Sequence, residues 1–157
     1  MDHPHTSVDW GRATTTIRAT TDEIFSVITD YERYRQFLPQ VTSSRVLSRN
    51  GMNATVYIQT EMVGGSLTMW AQLNIYARPP KGSTRIVEAQ MVDGNMDRFK
   101  ARWEITPSED GQATQVSLQL IAEPEVPVPS FLVSRHNEGA ARWAVQSLRR
   151  RVLQADI

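Results

Sequence analysis

The sequence predicts an α+β fold: one curved antiparallel sheet of seven strands, two short helices after the first strand, and a long C-terminal helix. Three observations predict it. Apolar residues follow a helical period at residues 20–38 and again after residue 130, and they alternate along the chain between. Turn-forming pairs break that middle stretch at intervals of roughly ten residues, as consecutive hairpins require. Each alternating stretch has one apolar and one polar face, so the sheet must be covered on one side only.

The elements follow in order. Residues 10–19 are rich in Thr and end on Ile17 and Ala19, which predicts a first strand. Thr20-Thr21-Asp22-Glu23 is a capping box, with Thr20 as N-cap, Glu23 three residues on, and Ala19 and Ile24 flanking it as a staple. Ile24, Phe25 and Ile28 share one helical face, followed by Tyr31, Tyr34, Phe37 and Leu38. Asp30 is placed to cap a second short helix that Pro39 ends. Six strands are then expected between residues 41 and 123. Their breaks are Asn50-Gly51, Gly64-Gly65, Pro79-Pro80-Lys81-Gly82, Gly94-Asn95 and the stretch from Pro107 to Gly111. Alternation is clearest where Leu67, Met69, Ala71, Leu73, Ile75 and Ala77 interleave with polar or aromatic neighbours. Phe99, Ala101, Trp103 and Ile105, and then Val116, Leu118, Leu120 and Ala122, repeat it. Three prolines between Glu123 and Pro129 predict an extended connector. Ser130 opens a helix of about 25 residues, with Asn137, Ala141, Ala144, Val145, Leu148 and Val152 on one stripe. Only this helix is long enough to lie across the sheet. A strongly twisted sheet holding one helix leaves space beside it, the natural place for a ligand.

Composition narrows the function. The 157 residues fit a single domain, taken as residues 10–155 after a polar tail of residues 1–9. Lys and Arg number 17 and Asp and Glu 17, a balance that argues against nucleic acid as partner. The absence of Cys removes disulfides, thiolate metal sites and a thiol nucleophile. No segment approaches the ~20 apolar residues of a membrane span. The N-terminus lacks the apolar core of a signal peptide, so the expected location is cytoplasmic, or periplasmic if an export signal has been removed.

Val27 to Pro39 followed by Ser43-Ser44-Arg45-Val46, then Asp93-Gly94-Asn95-Met96, Trp103-Glu104-Ile105-Thr106-Pro107, and Val128-Pro129-Ser130-Phe131-Leu132-Val133, resemble the START-like superfamily. The resemblance is to its polyketide cyclase/dehydrase and coenzyme-Q-binding group and runs from about Trp10 to about Leu153. It implies a helix-grip fold, with the sheet wrapped around the last helix. It also implies a cavity for a lipid, a sterol, an isoprenoid quinone or an aromatic polyketide. Some members cyclise or dehydrate the ligand and others only carry it. No cofactor is implied.

Strand phase and this resemblance together predict a cavity wall of Met62, Met69, Leu73, Met91, Phe99, Trp103, Leu120 and Phe131, with His136 as its polar member. A plain packed core is the alternative, although thioethers suit variable apolar shapes. Trp70 and Tyr57 fall out of phase and are expected outside. Other constellations have ordinary readings. His3 and His5 lie in a polar tail with no third ligand. Asp93 to Asp97 with Glu104 has the oxygen spacing of a calcium loop but carries Arg98 where that loop needs Gly, so it reads as a hairpin turn and no metal is expected. Ser134 and His136 would diverge by about 200° on a helix, which excludes a hydrolase triad with Ser130 and Glu138. Gly64-Gly65-Ser66 opens no helix and reads as a turn. Arg142, Arg149, Arg150 and Arg151 complement the last helix's dipole, with an acidic partner or an anionic membrane surface as the second reading.

The expected function is binding or transport of a hydrophobic small molecule without chemistry. The first alternative is a polyketide aromatase/cyclase using His136, Arg102 or Tyr57 as general acid or base. The second is an interaction protein that uses the basic helix end on a ribosome or membrane. The connector Val126 to Pro129, the turn Phe131 to Val133, and Gly139 as hinge are the expected gate.

Overall fold

The strands of a computed structural model form one antiparallel sheet in the order β1-β7-β6-β5-β4-β3-β2. The structure describes residues 8–38, 40–62, 67–125 and 128–155. The strands are β1 Gly11–Ile17, β2 Val41–Asn50, β3 Asn53–Met62, β4 Leu67–Ala77, β5 Arg85–Gly94, β6 Met96–Pro107 and β7 Thr114–Pro124. Between β1 and β2 stand α1 Thr21–Ile28, a 3₁₀ turn Tyr31–Arg33 and α2 Tyr34–Phe37. The chain closes with α3 Ser130–Ala155, 26 residues long. The architecture is the predicted α+β helix grip. The tail with His3 and His5, Pro39, the Gly64-Gly65-Ser66 turn, Val126-Pro127 and the side chain of Met62 lie outside the described residues.

Local chemistry explains the boundaries. The Glu23 N–H donates to Thr20 Oγ1 at 3.1 Å, which satisfies one of the free N–H groups at the start of α1. The Thr20 hydroxyl donates in turn to Glu23 Oε1 at 3.1 Å. Asp30 departs from expectation. It makes no cap, because its carboxylate pairs with Arg33 at 2.9 Å, and the chain enters α2 through a 3₁₀ turn. The Asn50-Gly51 turn closes a two-residue hairpin between paired Asn50 and Asn53, with Gly51 at φ +63°, a conformation glycine adopts without strain.

Register shifts between Val41 and Ser43, Val46 and Ser48, and Gln72 and Leu73 are places where one strand carries an extra residue. Such bulges bend a strand and raise its twist. The sheet's concave face carries Val56, Leu73, Ile105, Val116 and Leu118, all buried. On α3 the predicted stripe of Asn137, Ala141, Ala144, Val145, Leu148 and Val152 is buried throughout.

A clamp fixes α3 against one margin of the sheet. Asn137 is fully buried, and its Oδ1 accepts the Ala122 N–H at 3.2 Å. Its Nδ2 donates to Asp9 O at 3.2 Å and to Ala122 O at 3.3 Å. The Asp9 N–H donates to Ser134 Oγ at 2.8 Å. Gly11 makes the approach possible, since a Cβ there would stand 1.9 Å from the Asn137 carbonyl oxygen. The backbones of β1 and α3 therefore touch at Gly11, and the Asn137 side chain ties the helix to β7. The helix is held close to that margin and the concave face beyond it is less closely covered.

Candidate ligand cavity

That less covered face holds a cavity of about 140 Å³ between the sheet and α3. Small side chains make it. Ala89 of β5 and Ala101 of β6 are direct cross-strand partners, and Ala122 of β7 pairs with Phe99. Ala140 and Ala144 of α3 line the same space. Sheet and helix each present methyl groups where larger side chains would meet and fill the gap. Around them stand Leu73, Phe99, Trp103, Leu118 and Leu120, so the wall is predominantly apolar.

The corner made by α1 and α2 closes one side. Tyr31 and Tyr34, and Tyr34 and Phe37, meet edge to face with ring centroids 5.8 Å and 5.5 Å apart. The Tyr34 hydroxyl donates to Ile28 O, and the Ser44 hydroxyl donates to Tyr31 O. Tyr34 contributes to the lining together with Leu38, Gln40 and Val41. Burial, with smaller effects from Tyr31 and Asp30, raises the Tyr34 phenol well above its ordinary pKa, so it stays neutral. Trp143 lines the cavity yet is 52% exposed, which puts it at the opening.

The predicted wall residues divide. Leu73, Phe99, Trp103, Leu120 and His136 share the lining. Met69 is buried on the same face but lies outside the lining, opposite Thr60 near the start of β4. Met91 is half-buried outside it, beside the bulge at Val92 of β5, where a Cβ on Gly94 would meet its sulfur at 2.9 Å. Phe131 is 62% exposed and lines nothing there. Six residues before Asn137, it points about 240° around the helix from the buried stripe. The expected gate at Phe131 to Val133 therefore does not border the cavity, whose helical wall runs from His136 to Ala144.

Of the three acid–base candidates only His136 faces the cavity. Tyr57 stacks on Trp70 at 6.2 Å on the opposite face of the sheet, under Arg45. Arg102 pairs with Glu104 at 2.9 Å on that same outer face. His136 is half-buried, and burial lowers its pKa, so the imidazole is neutral at pH 7. Ser134 accepts the Asp9 N–H, and Glu138 pairs with Arg142 at 3.2 Å. In the Asp93 turn, Asp93 accepts the Gly94 N–H and Arg98 pairs with Glu123. Among the described residues no three His, Asp or Glu side chains converge as metal ligands. At the basic end, Arg151 donates to Gln36 on the α2 side and Arg150 to Ser147. No helix among the described residues is long and apolar enough to cross a membrane.

Sequence reasoning missed the five alanines, Tyr34, Gln40, Thr60 and Trp143. The alanines had a signal. Ala89, Ala101 and Ala122 are small residues in the inward phase of three neighbouring strands, and Ala140 and Ala144 lie one turn apart on the helix.

A family described as polyketide cyclase/dehydrase and lipid transport matches residues 17–149. A comparison with curated proteins found no match. Solved structures are similar in fold. A START superfamily protein from Mycobacterium smegmatis superposes with a TM-score of 0.78 at 20% identity, covering 93% of this chain and 98% of its own. A STAR-related lipid transfer protein from Xanthomonas axonopodis gives 0.80 at 17% identity, covering 98% of this chain and 90% of its own. The Zhui aromatase/cyclase from Streptomyces sp. R1128 gives 0.63 at 16% identity, covering 94% of this chain and 88% of its own.

Proposed function

The chain belongs to the polyketide cyclase/dehydrase and lipid transport family, and from that premise we propose that it binds and carries a hydrophobic small molecule between the sheet and α3. A lipid, an isoprenoid quinone and an aromatic polyketide are the candidate classes. One observation carries this reading: an apolar cavity built by opposed alanines, open beside Trp143. Burying ~300 Å² of apolar ligand surface contributes roughly 7 kcal/mol before ordering costs, so this contribution alone gives micromolar affinity at best. Carriage is favoured over catalysis because Tyr57 and Arg102 face away, and the Tyr34 hydroxyl is committed to Ile28 O. The aromatase/cyclase reading keeps one observation, the His136 imidazole in the lining, and one group is a thin basis for acid–base chemistry.

Native mass spectrometry of the protein purified from its own host tests the proposal. The wild type should carry an apolar molecule. Ala101→Leu, which places a larger side chain in the cavity wall, should fold and carry none. A filled variant that retains the same molecule would place the ligand elsewhere. A recovered polyketide whose mass changes on incubation with fresh protein would favour the cyclase.

A further inference from the structure

The polar groups of the cavity say what kind of head group the ligand has. His136, Gln40 and Thr60 share the lining, and their side chains make no hydrogen bond to another described residue. Gln40 and Thr60 are neighbours, since the Glu61 N–H donates to Gln40 O and Thr60 pairs with Val41. Tyr34 and Asn137 also line the cavity, but their polar atoms are already engaged with Ile28 O and with the Asp9 and Ala122 backbone. So the available groups are an imidazole, an amide and a hydroxyl. Each can donate one hydrogen bond and accept another. The lining among the described residues contains no Asp, Glu, Lys or Arg.

Each charge taken out of water into such a site costs several kcal/mol unless an opposite charge meets it. Nothing in this lining meets one. The same groups suit a neutral hydroxyl, carbonyl or amide well, since a ligand lacking that group leaves them unpaired at a cost. We infer that the cavity selects an uncharged ligand, with an apolar body among the alanines and one neutral hydrogen-bonding head against His136, Gln40 and Thr60, and discriminates against carboxylates and phosphates of the same shape. The inference rests on the proposed binding of a hydrophobic molecule in this cavity. The neutral state of His136 at pH 7 agrees with it.

Four probes on one propylbenzene frame separate the two claims: propylbenzene, para-propylphenol, para-propylbenzamide and para-propylbenzoate. Binding is read by titration calorimetry at pH 7.5. The benzamide should bind at least ~10-fold more tightly than the isosteric benzoate, because only the charge differs in kind. The phenol should bind ~5-fold more tightly than propylbenzene, the scale of one net hydrogen bond. Within His136→Phe, and separately within Thr60→Val, the advantage of phenol over propylbenzene should shrink or vanish. Thr60→Val keeps the side-chain shape and answers the question if His136→Phe fails to fold. Equal binding of benzamide and benzoate overturns the selection for uncharged ligands. A phenol advantage unchanged in both variants overturns the assignment of the head-group site. If propylbenzene itself does not bind, the underlying reading of an apolar ligand cavity fails, and this inference falls with it.

Discussion

Gly11→Ala probes the contact that sets the helix on the sheet. Its added Cβ would lie 1.9 Å from the Asn137 carbonyl oxygen, 2.2 Å from its carbonyl carbon and 2.6 Å from the Glu138 nitrogen. All three are backbone atoms of α3, so no flexible side chain can swing aside. Ordinary contact begins near 3.4 Å, so strand and helix must separate by about 1.5 Å. The Asn137 bonds at 3.2, 3.2 and 3.3 Å span that gap and cannot stretch so far. Each lost bond costs about 1 kcal/mol, and a buried amide left partly unpaired adds about 1–3 kcal/mol. The expected loss is therefore ~4–6 kcal/mol, a fall in Tm on the order of 10–20 °C for a chain of this length. Urea denaturation followed by circular dichroism measures it. A double-mutant cycle with Asn137→Ala should show strong non-additivity, because both substitutions remove the same bonds. A Gly11→Ala variant within ~0.5 kcal/mol of wild type would refute the clamp.

Trp103→Ala should cost about 3–5 kcal/mol by denaturant melting, since the ring is buried and in the cavity wall; wild-type-like melting would place the ring outside the core. Gly139→Ala meets nothing within 4 Å and should stabilise α3 by about 0.5–1 kcal/mol. If Gly139 is the hinge, the same variant should also slow uptake and release of a fluorescent quinone analogue in stopped flow; unchanged rates would remove that role. His136 supplies a pH dependence. Its folded pKa lies below its unfolded value near ~6.5, so the unfolded chain takes up the proton first as pH falls. The stability it contributes is present above that value and lost as pH drops through the folded pKa. His136→Phe should flatten that part of the stability profile, and an unchanged profile would show that burial does not perturb the imidazole.

The fold was legible because its signals are local and repeated. The capping box at Thr20, the turn at Asn50-Gly51 and the stripe from Asn137 to Val152 each state their element within a few residues. The candidate site was legible only in part. Trp103, Phe99, Leu120 and Leu73 announce themselves as large apolar residues in the inward phase. What makes the space is the reverse property, smallness, whose signal is only that alanines recur in the inward phase of neighbouring strands and one turn apart on the helix. Phase also says which face a residue takes but not how far along the strand the cavity reaches, so Met69 and Met91 were placed with the rest. Phe131 shows a different limit. Its apolar character suggested burial, whereas the phase of α3, fixed by Asn137, turns it outward. Asp30 shows the third. A side chain with the right position for a cap found a stronger partner in Arg33.

The clamp and the cavity are two consequences of one arrangement. Gly11 and Asn137 hold α3 against β1 and β7, and the opposed alanines leave a gap beyond that contact. A cavity near 140 Å³ is close to the size of an engineered void that takes up benzene, and smaller than the ~300–1,000 Å³ of sites for drug-sized ligands. A quinone or polyketide must therefore widen the gap as it enters. The widening cannot occur at Asn137 without breaking three hydrogen bonds to buried or backbone partners. It is cheaper on the other side, where Trp143 is half in solvent. Ligand size should accordingly be read out in the position of Trp143. Its fluorescence should shift progressively along a series of quinones with longer isoprenoid tails, in a Trp103→Phe background that removes the other cavity tryptophan. A Trp143 signal indifferent to tail length would mean that the cavity enlarges through the sheet instead.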